Sequence, residues 1–224
     1  MDQYSFNIEC SPDYALLNVQ IPANQMLKVE ASAMASMDSH ISMKTRMKGG
    51  LTRFLSRESL FINEFTAQGG PGSISIAPGP AGDISHYSLT DQGAIFLTGS
   101  SYVASTPDVQ LDTKFQGLVK GFFSGESLFL MRCSGSGDLW FNTFGGIFSV
   151  DIEKEYIVDT GHIVAFTEGL DYEVGRIGGY KSLFFSGEGF ICRFKGQGKV
   201  WVQSRNPLGL ISWADRYRIQ QSSS

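Results

Sequence analysis

The stretch GFFSGESLFLMRCSGSGDLWFN, at residues 121–142, decides the fold because the chain repeats it in two further places. Residues 53–76 read RFLSRESLFINEFTAQGGPGSISI, and residues 183–203 read LFFSGEGFICRFKGQGKVWVQ. The corresponding phenylalanines, Phe54, Phe122 and Phe184, follow one another at intervals of about 60 to 70 residues, a period typical of proteins built from homologous units. The sequence therefore predicts three related units.

A comparison without gaps supports the repeat. The windows RMKGGLTRFLSRE, KFQGLVKGFFSGE and RIGGYKSLFFSGE begin at residues 46, 114 and 176. All three begin with a basic residue and share Gly at the fourth position, Phe at the ninth, Ser at the eleventh and Glu at the thirteenth. The windows therefore define a repeated polar set, which consists of Arg46, Lys114 and Arg176 together with Glu58, Glu126 and Glu188.

Short runs of alternating apolar and polar residues fill the units, with turn signals about every 8–12 residues. This pattern predicts an all-β sandwich, jelly roll or barrel in a single compact body. The apolar residues within 208–213 are compatible with either a final strand or one short helix. The predicted organisation is a leading segment at 1–25, repeats at 26–92, 93–155 and 156–217, and a tail at 218–224.

The composition bounds the function classes. Hydrophobic residues make up 42% and charged residues 18% of the chain, as in folded soluble proteins. A net charge of −4 argues against a general nucleic-acid binder. The sequence shows no signal peptide and no apolar run of about 18 residues, so we expect a cytoplasmic location. Three cysteines without a CxxC pair are expected to be reduced thiols, buried as small hydrophobes.

The repeated polar set has two interpretations. Around a threefold axis, the three glutamates could gather a hard cation through oxygen ligands. The pattern favours the alternative, in which each glutamate caps a turn or pairs with the basic residue of its own unit, a weak interaction when exposed. Arg132 and Arg193 hold the same position in the second and third units, and Glu64 holds it in the first. Because the charge changes sign between units, the position favours a solvated face over an anion-binding site.

No catalytic or cofactor motif accompanies the repeat. The three histidines, His40, His86 and His162, hold unrelated places in it and show no zinc spacing. The chain contains no GxSxG elbow and no P-loop sequence, and the Gly-x-Gly elements precede no helical pattern. We therefore expect a protein that is not an enzyme and carries no cofactor or metal.

Adjacent aromatic residues indicate an interaction surface. Neighbouring residues on a strand point to opposite faces, so one member of each pair, Phe122–Phe123 and Phe184–Phe185, faces away from the core of its unit. A second sheet, a partner subunit or lipid must cover it. Five of the seven methionines fall between residues 26 and 47. A soft partner surface is one reading of this cluster, but the pattern favours methionine as core filler.

The chain resembles the family named for altered inheritance of mitochondria in yeast, whose bacterial members lack an agreed biochemical role. The resemblance is carried by FFSGESLFLMRCSGSGDLWF at residues 122–141 and FFSGEGFICRFKGQGKVWVQ at residues 184–203, and it extends over residues 4–212. The first copy departs from the pattern, since Arg57 replaces the Gly of Gly-Glu and QGGP at residues 68–71 replaces Gly-x-Gly.

This resemblance implies a fold like that of the tryptophan RNA-binding attenuation protein: three tandem double-stranded β-helix or jelly-roll-like units with pseudo-threefold symmetry. It also implies self-association, and mitochondrial members are linked to inner-membrane organisation. We therefore expect a non-enzymatic, homo-oligomeric scaffold or interaction protein with an unknown protein partner and peripheral membrane contact. The alternative is a small-ligand or RNA-binding module that uses the repeated basic positions, although nucleic acid is the less expected partner.

Overall fold

A computed structural model describes residues 3–48, 60–91, 93–98, 101–112, 130–176 and 190–218. These residues are nearly all β, which confirms the predicted fold class. Within the described ranges, the helical segments are the 3-10 turn Thr160–His162 and the helix α1 at Pro207–Asp215. Residues 208–213, for which the sequence allowed either a strand or a helix, therefore lie in a helix.

The strands of the described part of the chain fall into three runs along the sequence. The first run is β1 (Ser5–Glu9), β2 (Leu16–Ile21), β3 (Met26–Glu30), β4 (Met34–Met37), β5 (Ile41–Lys48), β6 (Leu60–Ala67) and β7 (Gly72–Ile76). The second run is β8 (Ile84–Leu89), β9 (Ile95–Thr98), β10 (Tyr102–Ser105), β11 (Gln110–Asp112), β12 (Leu130–Ser134) and β13 (Gly137–Asn142). The third run is β14 (Ile147–Ile152), β15 (Glu155–Asp159), β16 (Ile163–Thr167), β17 (Leu170–Arg176), β18 (Phe190–Gly196) and β19 (Gly198–Gln203).

The two-residue period of the sequence accounts for these strands. In β2, Leu17, Val19 and Ile21 are buried while the residues between them are partly exposed. Strand β3 follows the same rule with Leu27 and Val29. Successive side chains on a strand point to opposite faces, so each such strand covers the core with one face.

The order of strands in the sheets recurs. One six-stranded sheet has the order β5-β6-β3-β10-β13-β8, and the other has the order β11-β12-β9-β16-β19-β14. Each strand of the second sheet is the one six places later in the chain. The two remaining sheets, β1-β2-β7-β4 and β15-β18-β17, contain pieces of the same order. All the ladders between these strands are antiparallel.

An irregularity in pairing recurs with the strand order. The ladders β4–β7, β10–β13 and β16–β19 each contain a register shift at the same place. The shifts fall between Met34 and Ser36, between Tyr102 and Ala104, and between Ile163 and Ala165. Phe54, Phe122 and Phe184 lie outside the described residues, so the pseudo-threefold symmetry and the repeat boundaries stay predictions.

The core joins segments that the sequence analysis assigns to different repeats. One buried cluster unites Leu17, Val29 and Phe65 with Ala104 and Trp140. A second cluster runs from β6 to Trp201 in β19, and a third fills the space among β12, β15, β16, β18 and β19. The apolar faces of successive segments therefore bury one another.

Two loops are joined at Gly82 and Gly145 by an isolated parallel bridge. The amide of Gly145 donates to the carbonyl of Ala81 at 2.9 Å, and the amide of Asp83 donates to the carbonyl of Gly145 at 3.1 Å. The carbonyl of Gly82 accepts from the amide of Ala15 at 2.9 Å. The backbones approach so closely that Gly82 has no room for a side chain.

Candidate interaction surface

Strand β4 forms an open edge of its sheet. It pairs with β7 on one side, and in the described part of the chain no strand pairs with its other side. All four of its residues are exposed, with Met34 and Met37 each 37% accessible. The strands that hold the same place in the two six-stranded sheets, β10 and β16, are paired on both sides and almost completely buried.

Strand β15 forms a second open edge. It pairs with β18, and its other side has no partner strand among the described residues. Tyr156 and Ile157 are 41% and 40% exposed, while Val158 is buried. The strands that hold the same place, β3 and β9, are paired on both sides. Unpaired N–H and C=O groups beside exposed apolar side chains make an edge that can accept a further strand.

The methionine cluster is therefore not the core filler that the sequence pattern favours. Met34, Met37 and Met43 are all exposed, Met43 at 53%. The prediction was wrong for these three residues. Met34 and Met37 lie on β4, which in the described part of the chain has a partner strand on one side only, and local composition does not reveal this. The exposure of β4 does have a trace in the sequence. Its residues Met34–Met37 read MASM, whereas the buried segments at the same place read YVAS in β10 and IVAF in β16.

The structure places only part of the repeated polar set. Arg46 extends from β5 and donates from Nε to Oε2 of Glu64 at 3.1 Å, with the two side chains 54% and 23% exposed. Arg176 is the last residue of β17. Outside the described residues lie Lys114, Glu58, Glu126, Glu188, Phe122, Phe123, Phe184 and Phe185. Of the two members within the described ranges, Arg46 thus takes part in an exposed ion pair.

The residues aligned with Glu64 also form exposed ion pairs. Arg132 donates through Nε and Nη2 to Oε1 of Glu168, at 3.1 and 2.9 Å. Arg193 binds Oε1 of Glu155 at 2.5 Å. The hydrogen bond from Arg193 lowers the pKa of the Glu155 carboxyl, with Lys195 contributing in the same direction. These contacts agree with the solvated face expected for this position, since each charge is already matched by a neighbour.

The histidines occupy separate structural positions. His40 lies 3.1 Å from the carbonyl oxygen of Pro71, and His162 lies 2.8 Å from that of Gln203. His86 bonds Asp138 at 2.7 Å beside the ring of Trp140. Over the described ranges, no group of three His, Cys, Asp or Glu side chains could hold a metal ion.

The cysteines divide into two kinds. Cys133 and Cys192 are buried, and burial raises the pKa of each thiol to about 12, which keeps it protonated and unreactive. Cys10 is exposed and adopts a φ of 57°, so the expectation that all three are buried was wrong for this residue. Cys10 lies in the turn between β1 and β2, where residues 9–14 are all exposed.

A buried polar group lies where β3 meets β10, and sequence reasoning missed it. The hydroxyl of Tyr102 donates to the carbonyl of Lys28 at 3.2 Å and lies 3.0 Å from Oγ of Ser105. Lys28 Nζ donates to the carbonyls of Pro107 and Val109 at 2.5 and 2.9 Å. Burial raises the pKa of the nearby Glu30 carboxyl to about 7. These contacts satisfy polar groups at a strand junction and therefore hold the two strands together.

Replacing Glu30 with glutamine is expected to stabilise the protein in alkaline solution. The native carboxyl has a pKa of about 7 against 4.5 for its ordinary value, so the folded state holds this proton more tightly and loses stability as pH rises between these values. Allowing for partial exposure, the variant should gain about 1–2 kcal/mol at about pH 8 and nothing near pH 4. Urea unfolding at the two pH values measures the difference.

The matched control is the exposed Glu153, whose replacement with glutamine should change stability by less than about 0.5 kcal/mol at either pH. Equal behaviour of the two variants would contradict the assigned burial of Glu30.

Helix α1 is exposed over its whole length. Asn206 caps it by accepting from the amide of Leu208 at 2.9 Å, and Pro207 occupies its first turn. Its exposed apolar side chains, with that of Tyr217 just beyond its end, are Leu208 at 60%, Leu210 at 47%, Ile211 at 55%, Trp213 at 57% and Tyr217 at 72%. A helix of nine residues is marginal by itself in water, so this apolar surface is available for contact with another body.

The fold and its surfaces define an all-β protein of several antiparallel sheets. In its described part, β4 and β15 are edge strands although the strands at the same places of the six-stranded sheets lie inside them, and several ion pairs are exposed. The family model described as "Mitochondrial biogenesis AIM24" matches residues 6–205, and the chain belongs to this family. The expected resemblance is thereby confirmed.

Two comparisons with individual proteins agree with this assignment. The chain is 26% identical over 225 residues to the uncharacterized protein M6_Spy0233 of Streptococcus pyogenes serotype M6, covering 95% of this chain and 90% of the relative. The crystal structure of protein SPYM3_0169 from Streptococcus pyogenes superposes with a TM-score of 0.81 at 24% identity, covering 96% of this chain and all of the other. The second comparison supports the fold alone. No helix in the described ranges is both long enough and apolar enough to span a bilayer.

Proposed function

We propose that this protein is a non-enzymatic scaffold that self-associates through its open sheet edges. The observation that carries the proposal is the exposure of β4 and β15, in contrast to the buried strands at the same places of the sheet order. Natural proteins usually protect edge strands with charges, proline or a covering loop. Here the exposed apolar side chains of the two edges are Met34, Met37, Tyr156 and Ile157, and the charged residues of these strands are confined to the ends of β15, at Glu155 and Asp159.

The charge pattern supports a scaffold over the alternative of an RNA-binding or small-ligand module. RNA binding needs cationic side chains that are available to phosphates, interleaved with exposed aromatics. Arg46, Arg132 and Arg193 each bind a carboxylate of this chain. An incoming anion would have to displace these partners. Among the repeated basic positions Arg46, Lys114 and Arg176, the side chain that the structure describes is that of Arg46, and it already has an ion-pair partner.

Self-association is tested by light scattering on the full chain as it elutes from a size-exclusion column, over a wide range of concentration. We expect a mass that is a multiple of the 24.6 kDa chain. A single-chain mass at every concentration would refute the scaffold proposal.

The scaffold would meet a membrane surface through α1. Leucine, isoleucine, tryptophan and tyrosine side chains surround most of this helix, and Arg205 and Arg216 flank it. Apolar and aromatic side chains beside cationic ones are the combination that binds at the boundary between lipid headgroups and acyl chains. The charge of the flanking arginines favours anionic lipid.

Serine substitution of both Leu210 and Trp213 is expected to reduce binding to vesicles that contain phosphatidylserine by at least about tenfold. The reason is the loss of roughly 1.5–3 kcal/mol for each large apolar side chain that would be buried in lipid. Flotation of the full chain with vesicles measures the bound fraction, and vesicles of phosphatidylcholine alone test the role of charge. Serine at Tyr14, which is 75% exposed outside α1, is the control and should have no effect. Equal binding by all variants would exclude α1 as the contact.

A further inference from the structure

We infer that β15 of one copy pairs antiparallel with β4 of a second copy, with Ile157 directly opposite Met37. The inference rests on the proposed self-association and names the surfaces, the direction and the register. Because the two edges are different, the contact is head-to-tail, in which one copy uses β15 and its neighbour uses β4.

The sheet order selects this pair of edges. In both six-stranded sheets, a three-stranded group is joined to a second three-stranded group through one central ladder, β3–β10 or β9–β16. The sheet β17-β18-β15 corresponds to the first group and ends at β15. The strands β4-β7-β2 correspond to the second group, which begins at β4. Joining β15 to β4 of another copy rebuilds the same order, β17-β18-β15-β4-β7-β2, across two chains.

The internal junctions fix the register on the β4 side. In one junction Ser105 lies opposite Lys28, and in the other Phe166 lies opposite Phe96. Beyond the register shift, pairing resumes at Ala104 in β10 and at Ala165 in β16. Ser105 and Phe166 are the residues that follow these two. Met37 holds this position in β4, because pairing there resumes at Ser36.

The neighbouring strands fix the register on the β15 side. Phe96 lies opposite Arg132 of β12, and Ile157 lies opposite Arg193 of β18. Each arginine is three residues before a turn glycine with positive φ, namely Gly135 at 91° and Gly196 at 106°. Ile157 therefore takes the place of Phe96, and its expected partner is the residue in the place of Phe166, which is Met37.

The side chains at the two edges are suited to this contact. Within the chain, Phe96 and Phe166 stack with ring centroids 5.1 Å apart. Ile157 and Met37 are apolar and respectively 40% and 37% exposed, so their contact would remove apolar surface from water as the phenylalanine pair does. The same ladder would place Val158, which is already buried against its own core, opposite Ser36.

Disulfide cross-linking of two differently labelled chains tests the register. Met37→Cys and Ile157→Cys are made in separate full-length chains that also carry Cys10→Ser, which removes the exposed native thiol. Mild oxidation of the mixture should give a disulfide-linked dimer of one chain of each kind, because directly opposed residues have the Cα separation that a disulfide needs. Each chain oxidised alone should stay uncross-linked.

The control uses Tyr156→Cys in place of Ile157→Cys. Tyr156 is 41% exposed and adjacent in sequence, but it points to the opposite face of β15. Its mixture with the Met37→Cys chain should give little or no dimer. Equal cross-linking with either partner would overturn the assigned register.

Two further measurements separate this inference from the proposed function. A chain with both Met37→Cys and Ile157→Cys should give a ladder of multimers, whereas a fast-migrating single chain would mean that the edges close on each other within one copy and would overturn the inference. Lysine at both positions should weaken association at least tenfold while leaving the melting temperature of the single chain nearly unchanged. If the lysine variant keeps the multimeric mass, self-association stands and these edges do not carry it.

Discussion

Replacing Gly82 with alanine is expected to lower the free energy of unfolding by about 3 kcal/mol. An added Cβ would collide with the carbonyl oxygen of Thr143 and lie 2.7 Å from that of Gly145. Both obstacles are backbone atoms of a segment held in place by hydrogen bonds. The carbonyl of Gly145 accepts from the amide of Asp83, and the amides of Thr143 and Gly145 donate to the carbonyls of Asp83 and Ala81, so the segment cannot move aside without breaking the junction of the two loops. Urea unfolding followed by tryptophan fluorescence measures the loss.

Gly79 provides the control in the same loop. An added Cβ there meets no atom within 4 Å, so alanine at this position should change stability by less than about 0.5 kcal/mol. If the two alanine variants were equally stable, the close approach at Gly82 would be contradicted.

Replacing Trp140 with alanine is expected to lower the free energy of unfolding by about 3–5 kcal/mol, the usual range for removing a buried large aromatic side chain. Trp140 is fully buried in the core cluster that joins β2 and β3 to β10 and β13. Its ring packs edge-on against Phe6 at 5.2 Å and lies 5.5 Å from the ring of His86. The cavity would therefore loosen β1 and β8 as well as β13.

Trp213 is the control for the same substitution, since it is 57% exposed on α1. Its replacement with alanine should alter the unfolding free energy by less than about 0.5 kcal/mol. Thermal unfolding and urea unfolding should rank the variants in the same order, and a Trp140 variant as stable as the Trp213 variant would show that the indole does not hold this part of the core.

The sequence was sufficient for the strands because alternation is a local property. Leu17, Val19 and Ile21 alternate with polar residues and are found on one buried face, as the two-residue period requires. The start of α1 also has a local signal, because Asn206 followed by Pro207 combines a side-chain cap with a preset φ. The apolar pattern of residues 208–213 alone was compatible with a strand as well.

The open edges could not be predicted in the same way. Met37 and Phe166 hold corresponding positions, yet one is exposed and the other is buried. The difference arises from the neighbour on the far side of each strand, which comes from a distant part of the chain. Likewise, the ion pair of Arg46 with Glu64 joins side chains on adjacent strands, and spacing along the sequence alone does not select that partner over Glu58.

The joining of β3 to β10 has a consequence for biosynthesis. Lys28 pairs with Ser105, and the next ladder of the same sheet, β10–β13, ends at Phe141. A ribosome must therefore release well over half of the chain before this sheet is complete, and pairings between such distant segments form slowly. During that interval the early strands present bare backbone, so the nascent protein is expected to depend on chaperones more than a protein of similar size whose neighbouring segments fold as they emerge.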